Sequence, residues 1–180
     1  MKYLRRTVWY IATRLMIVCL VLGLAITIFY YVMNLSNIQV VLKEGLANRA
    51  KVIMGIDEDN GTLEKYFHPT YIDSDTVLKN AVAGAGIYAD YNVRGIDHRA
   101  EMSFFWIWPW ETSVKVTVNE TIPKIDGRAK GSRADELVAQ NGNDALYPPA
   151  WPDTDYRVSL TRENGQWRVR NMKIETGGFR

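Results

Sequence analysis

The stretch SVKVTVNETI, residues 113–122, decides the fold class. Val114, Val116 and Val118 fall on one side of an extended chain and Lys115, Thr117 and Asn119 on the other, the two-residue period of a half-buried antiparallel strand. Downstream the same period returns twice, in YRVSL (156–160) and WRVRNMKI (167–174), with Glu163-Asn164-Gly165 between them. An Asn-Gly pair between two alternating runs is a strong hairpin signal. Val114, Val116, Val118, Val158, Leu160, Trp167 and Val169 are therefore the expected core of a sheet. Upstream, Ile87 to Ile96 and Ala100 to Ile107 carry β-branched and aromatic residues and read as further strands. Pro123 to Pro152, rich in Gly, Pro, Asn, Asp and Ser, reads as a long excursion with a helical turn at Ala134 to Ala139.

Before Gly84-Ala85-Gly86 the period is helical. Leu35, Ile38, Val41, Leu42, Leu46, Ala50, Ile53 and Met54 recur at steps of three and four, one apolar helix face. Ser36 is a possible cap, or the helix runs on from what precedes it, and Gly55 ends it. Short helices are expected from Thr62 to Phe67, stopped by Pro69, and from Ser74 to Ala83, capped by Asp73 or Ser74.

The N-terminal part reads LMIVCLVLGLAITIFYYVM from Leu15 to Met33, 19 residues without a charge. As a helix it covers about 28 Å, enough to cross a bilayer. Trp9 and Tyr10 at one end and Tyr30 and Tyr31 at the other suit the two interfaces. A cleaved signal peptide has a shorter apolar region and small residues around the cut site, and Tyr30 to Leu35 offers none. A buried core helix is the other reading, but this run would leave a chain of 180 residues little else for its core to do. The organisation expected is a basic cytoplasmic tail at 1–14, a transmembrane helix at 15–33 and an extracytoplasmic domain at 34–180.

Charge supports that order. Of the 22 Lys and Arg, four (Lys2, Arg5, Arg6 and Arg14) precede residue 35, where there is no acid, and the next base is Lys43. Positive charge on one flank places the N-terminus in the cytoplasm. The rest of the chain holds 18 bases against 20 acids. This slightly acidic body lacks the basic face a nucleic-acid partner needs. One cysteine, Cys19, and two histidines, His68 and His98, exclude an internal disulfide and a Cys- or His-rich metal cluster. No phosphate loop or nucleophile elbow is present, so neither a metal nor a cofactor is expected.

Helices first, then an antiparallel sheet ending in ENGQWRVRNMKI (163–174), resembles the NTF2-like α+β cone fold, in which the last strand commonly follows a Gly-x-Trp turn such as Gly165-Gln166-Trp167. The resemblance covers residues 38 to 176 by element order, with further support from Tyr66-Phe67-His68-Pro69-Thr70-Tyr71. With a short tail and one anchor, the whole looks like the VirB8-like assembly factors of conjugation and secretion machines, and like anchored sporulation-channel proteins. The resemblance implies helices packed on a curved antiparallel sheet and a non-catalytic scaffold of a bacterial envelope complex. Its partners would be the membrane, further copies of itself and other envelope proteins. The long excursion at 123–152 departs from the compact pattern.

NTF2-like cones can also house an acid/base pair, which makes Asp90, Tyr91 and His98, with Tyr88 and Asp97, the candidates for an enzyme or small-molecule-binding domain. The plainer reading has Tyr88 and Tyr91 packing and Asp97-His98 in a turn with its side chains in water. His68, before Pro69, reads as a helix-end residue. The most unusual segment is FFWIWPW (104–110), with three of the six tryptophans. As a strand it points Phe104, Trp106 and Trp108 one way and Phe105 and Ile107 the other, both faces apolar, until Pro109 breaks the ladder. Trp106, Trp108 and Trp110 are the candidate interaction residues, docking on a partner subunit or on the membrane interface.

Overall fold

A computed structural model describes residues 2–57 and 60–175. Helix α1 runs unbroken from Lys2 to Ile53, 52 residues and about 78 Å. It contains no proline, and Ser36, a possible cap, instead lies in its interior. Its end is a Schellman motif: Gly55 takes φ +69°, its N–H donates to Val52 O, and the Ile56 N–H reaches back to Lys51 O. The helix is long and apolar enough to cross a membrane, and its apolar residues from Leu15 to Met33 are exposed apart from the partly covered Tyr31. Further on, Ile38, Leu42, Leu46, Ala50 and Ile53 are buried. At Gly45 the helix passes so close to the next segment that a Cβ there would lie 3.0 Å from Tyr66 Cβ.

A 3-10 turn spans Asn60–Lys65, and α2 covers Pro69–Ile72. Pro69 starts this helix rather than stopping one, because a first-turn residue needs no N–H donor and a proline's φ suits it. His68 is the N-cap, its Nδ1 accepting from the Thr70 N–H. Helix α3 covers Thr76–Val82, and its cap is Asp75, whose Oδ1 accepts from the N–H groups of Val77 and Leu78. The cap is thus neither Asp73 nor Ser74.

The sheet has four antiparallel strands in the order β1-β2-β3-β4 among the described residues: β1 Tyr91–Met102, β2 Ser113–Ala129, β3 Thr154–Glu163 and β4 Gln166–Ile174. The hairpin between β3 and β4 turns at Asn164 (φ 51°) and Gly165 (φ 81°), the two positive φ values a tight right-twisted hairpin needs. The expected core residues Val114, Val116, Val118, Val158, Leu160, Trp167 and Val169 are all buried. On the free side of β4, Tyr66 O accepts from the Val169 N–H and the His68 N–H donates to Val169 O, so residues 66–68 extend the sheet's edge.

Three expectations change. The two strands read at 87–96 and 100–107 are one, β1, and FFWIWPW lies beyond its end, outside the ladder. Strand β2 does not stop at Ile122 but continues through Pro123 to Ala129. It can, because Asp97 pairs with Lys124 and Arg99 with Thr121, leaving Ile122 and Pro123 together opposite the single residue His98. That is a β-bulge, a position that tolerates a residue without an N–H. The excursion therefore shrinks to Lys130–Asp153, and holds helix α4, Gly131–Asn141, longer than the turn expected at 134–139, and a 3-10 turn at Asn143–Leu146.

Candidate functional site

Two places gather residues of functional interest. The first lies between the helices and the inner face of the sheet. Continuing the alternation of β2 past Val118 puts Glu120 on the same side as the valines, and it is fully buried. His98 Nε2 is 2.9 Å from Glu120 Oε1, and its side chain is 8% exposed. The bulge at Ile122-Pro123 sits directly opposite His98, and such a bulge re-aims the side chains around it. The other carboxylate oxygen, Glu120 Oε2, has no hydrogen-bond partner among the described residues.

From the helical side, Arg49 of α1 enters the same layer and its Nε donates to Asp75 Oδ2 at 2.7 Å, both side chains buried. The Tyr71 hydroxyl donates to the same oxygen at 3.1 Å. Burial alone would lift the Asp75 pKa, but the hydrogen bond and charge of Arg49, the Leu78 N–H and the Tyr71 hydroxyl outweigh it, so the carboxyl titrates below its usual range. Tyr71 and Tyr156 are pushed up, chiefly by burial. Tyr156, next to Val118 across the β2–β3 ladder, feels both Glu120, which raises its pKa further, and Arg49, which opposes that. It sits electrostatically between Glu120 and the Arg49–Asp75 ion pair.

The residues expected for an acid/base site are not brought together. Asp90 sits at the surface in an ion pair with Arg133, 3.1 Å from Nε. Tyr88 and Tyr91 line a groove of about 670 Å³ at the far end of α1, with Met54, Val93 and Lys130. The Tyr88 hydroxyl donates to Pro149 O, and burial pushes its pKa up to about 12. Asp97 turns outward to Arg99 at 2.7 Å, while His98 turns inward. Asp97-His98 is thus part of a strand and not a solvated turn, because alternation sends the two side chains to opposite faces. Among the described residues no cluster of three or more His, Cys, Asp or Glu has metal-binding geometry.

The second place is the aromatic loop after β1. Phe105 and Ile107 are buried, whereas Phe104, Trp106, Trp108 and Trp110 are exposed, so only one of the two apolar faces is core. Tyr31 of α1 stacks on Trp106 with ring centroids 4.7 Å apart, Trp106 meets Trp108 edge-on at 5.5 Å, and Trp108 stacks on Trp110 at 5.1 Å. Asn34, buried in α1, donates from Nδ2 to Pro109 O at 3.4 Å. Glu111 folds back so that its Oε2 accepts from the Trp108 N–H at 2.9 Å. The three candidate tryptophans thus form one ladder against α1. Tyr31 and Asn34, three residues apart on one helix face, were the partners that sequence reading missed.

Comparison with known proteins finds no matching family model, curated protein or solved structure.

Proposed function

We propose that this chain is a non-catalytic, membrane-anchored assembly subunit of a bacterial envelope complex of the conjugation, secretion or sporulation type. In this reading α1 crosses the cell membrane once with its N-terminus in the cytoplasm, and the α+β domain lies outside and is an NTF2-like cone of the VirB8-like kind. The observation that carries the reading is the continuity of α1. One unbroken helix supplies both an exposed apolar run at Leu15 to Met33 and buried residues of the domain core from Ile38 to Ile53. Exposed apolar surface of that extent marks a membrane or protein contact, and lipid suits a 19-residue run without a charge. A domain built on the same helix transmits any pull on itself to the bilayer, which is what a scaffold does. The helices packed on an antiparallel sheet ending in the Asn164-Gly165 hairpin are compatible with the cone fold.

The test is crosslinking of the full chain in vesicles with a lysine-reactive reagent. A homo-oligomeric subunit gives a discrete ladder that persists as lipid dilutes the protein. Monomer at every dilution would contradict the reading.

One observation favours a second reading, an enzyme or small-molecule-binding cone. A fully buried carboxylate beside a histidine, with one oxygen unpartnered, is a pair able to exchange a proton with a ligand. In that case the working residues are His98 and Glu120, with Tyr156 nearby, and not Asp90 or Tyr91.

A further inference from the structure

We infer that the aromatic loop Phe104–Trp110 is a second membrane contact, seated in the interfacial layer of the phospholipid bilayer beside the point where α1 leaves it. Tyr31 lies two residues before Met33, where Asn34 closes the apolar run, about 3 Å along the helix axis. If α1 spans, Tyr31 stands at the edge of the hydrocarbon. Trp106 is stacked on Tyr31 at 4.7 Å and so lies within about one ring of its depth, and Trp108 and Trp110 follow it in the same ladder at 5.5 and 5.1 Å. The hydrogen bond from Asn34 to Pro109 O ties the loop to the helix one turn further out. No part of this depends on which way the helix points across the membrane, nor on self-association.

The chemistry of the loop fits lipid better than a protein partner. From Ser103 to Trp110 there is no charged residue, and the next one, Glu111, is folded back onto the Trp108 N–H. Phe104 is 86% exposed and Trp110 70%, so the loop holds its rings out at the level where tryptophan, with an apolar body and one N–H donor, is most favourable. Lys115 lines the same hollow as Phe104 and Trp106, placing a cation beside the rings where lipid phosphates lie. With two contacts instead of one, the domain is held at a fixed height and tilt over the bilayer.

The experiment places an environment-sensitive fluorophore on Phe104→Cys in a Cys19→Ser background, in the full chain, in vesicles of phosphatidylcholine and phosphatidylglycerol at high lipid excess. Ser132→Cys, on exposed α4, is the comparison site. The expected result is about threefold stronger quenching at 104 than at 132 by a nitroxide carried near the lipid headgroup, and weaker quenching at 104 by aqueous iodide. Equal quenching at the two sites overturns the inference. So does shielding at 104 that appears only when protein is concentrated in the bilayer, since that is contact between copies. A fluorophore on the native Cys19 checks the span by itself: if a nitroxide deep in the acyl chains fails to quench it, the span and the loop contact both fall. Quenching at Cys19 without quenching at 104 removes the loop contact alone.

Discussion

Replacing Asp75 by Ala is expected to lower the stability of the domain by about 4 kcal/mol, a drop in melting temperature of about 10 °C or more. The change acts at three points. It leaves the Arg49 guanidinium, with 7% of its side chain exposed, without its carboxylate, and an uncompensated buried charge is among the costliest defects a domain can carry. It removes the cap from the Val77 and Leu78 N–H groups, worth about 1 kcal/mol. It also strands the Tyr71 hydroxyl. Near-ultraviolet circular dichroism of the full chain in detergent reads the transition, and a change under about 1 kcal/mol would show that water enters and solvates Arg49.

The same residue sets an acid limit. Because Asp75 titrates in the folded chain below its unfolded value of 3.8, its contribution is complete above about pH 4 and is lost as pH falls through the lower folded value. The melting temperature of Asp75→Ala should therefore fall less between about pH 5 and about pH 3 than that of the wild-type chain.

The second large effect is at Glu120. Glu120→Ala opens a cavity where nothing is exposed and leaves His98 unpaired, for an expected loss of about 3 kcal/mol. Converting both partners, His98→Leu with Glu120→Leu, removes the polar groups together and fills the space, and such replacements are neutral or stabilising. An assembly subunit carrying both substitutions should fold and give an undiminished crosslinking ladder. A folded double variant that no longer assembles would show that assembly itself depends on the buried pair.

Much of the sheet was legible because its alternation is strong: the phase of Val114, Val116 and Val118 predicts the core, and Asn164-Gly165 predicts the hairpin. The phase, carried two residues further, also points Glu120 into the core, where an acid breaks the apolar pattern. On α1, Arg49 falls between Leu46 and Ile53 on the apolar face and carries the same signal. What no local pattern announces is that Arg49 finds Asp75, or that His98 finds Glu120. The first pair is 26 residues apart and the second 22, and each forms only when helix meets helix or strand meets strand. Asp75 was masked by Asp73 and Ser74, equally good caps by composition. Strand β2 was read too short because Pro123 ordinarily ends a strand, and the bulge that accommodates it depends on the register with β1. The aromatic loop reads as a strand because its alternation is real, with Phe105 and Ile107 inward, yet it lies against α1 beyond the end of the β1 ladder.

The account stands on α1 crossing the membrane with the domain outside, and thiol accessibility in intact spheroplasts tests this most directly. Thr7→Cys and Ser132→Cys, each in a Cys19→Ser background, are treated with a membrane-impermeant maleimide before and after permeabilisation. The account predicts that Ser132→Cys reacts at once and Thr7→Cys only after the membrane is opened. Reaction of Thr7→Cys in sealed spheroplasts, with or without reaction at Ser132→Cys, would contradict it.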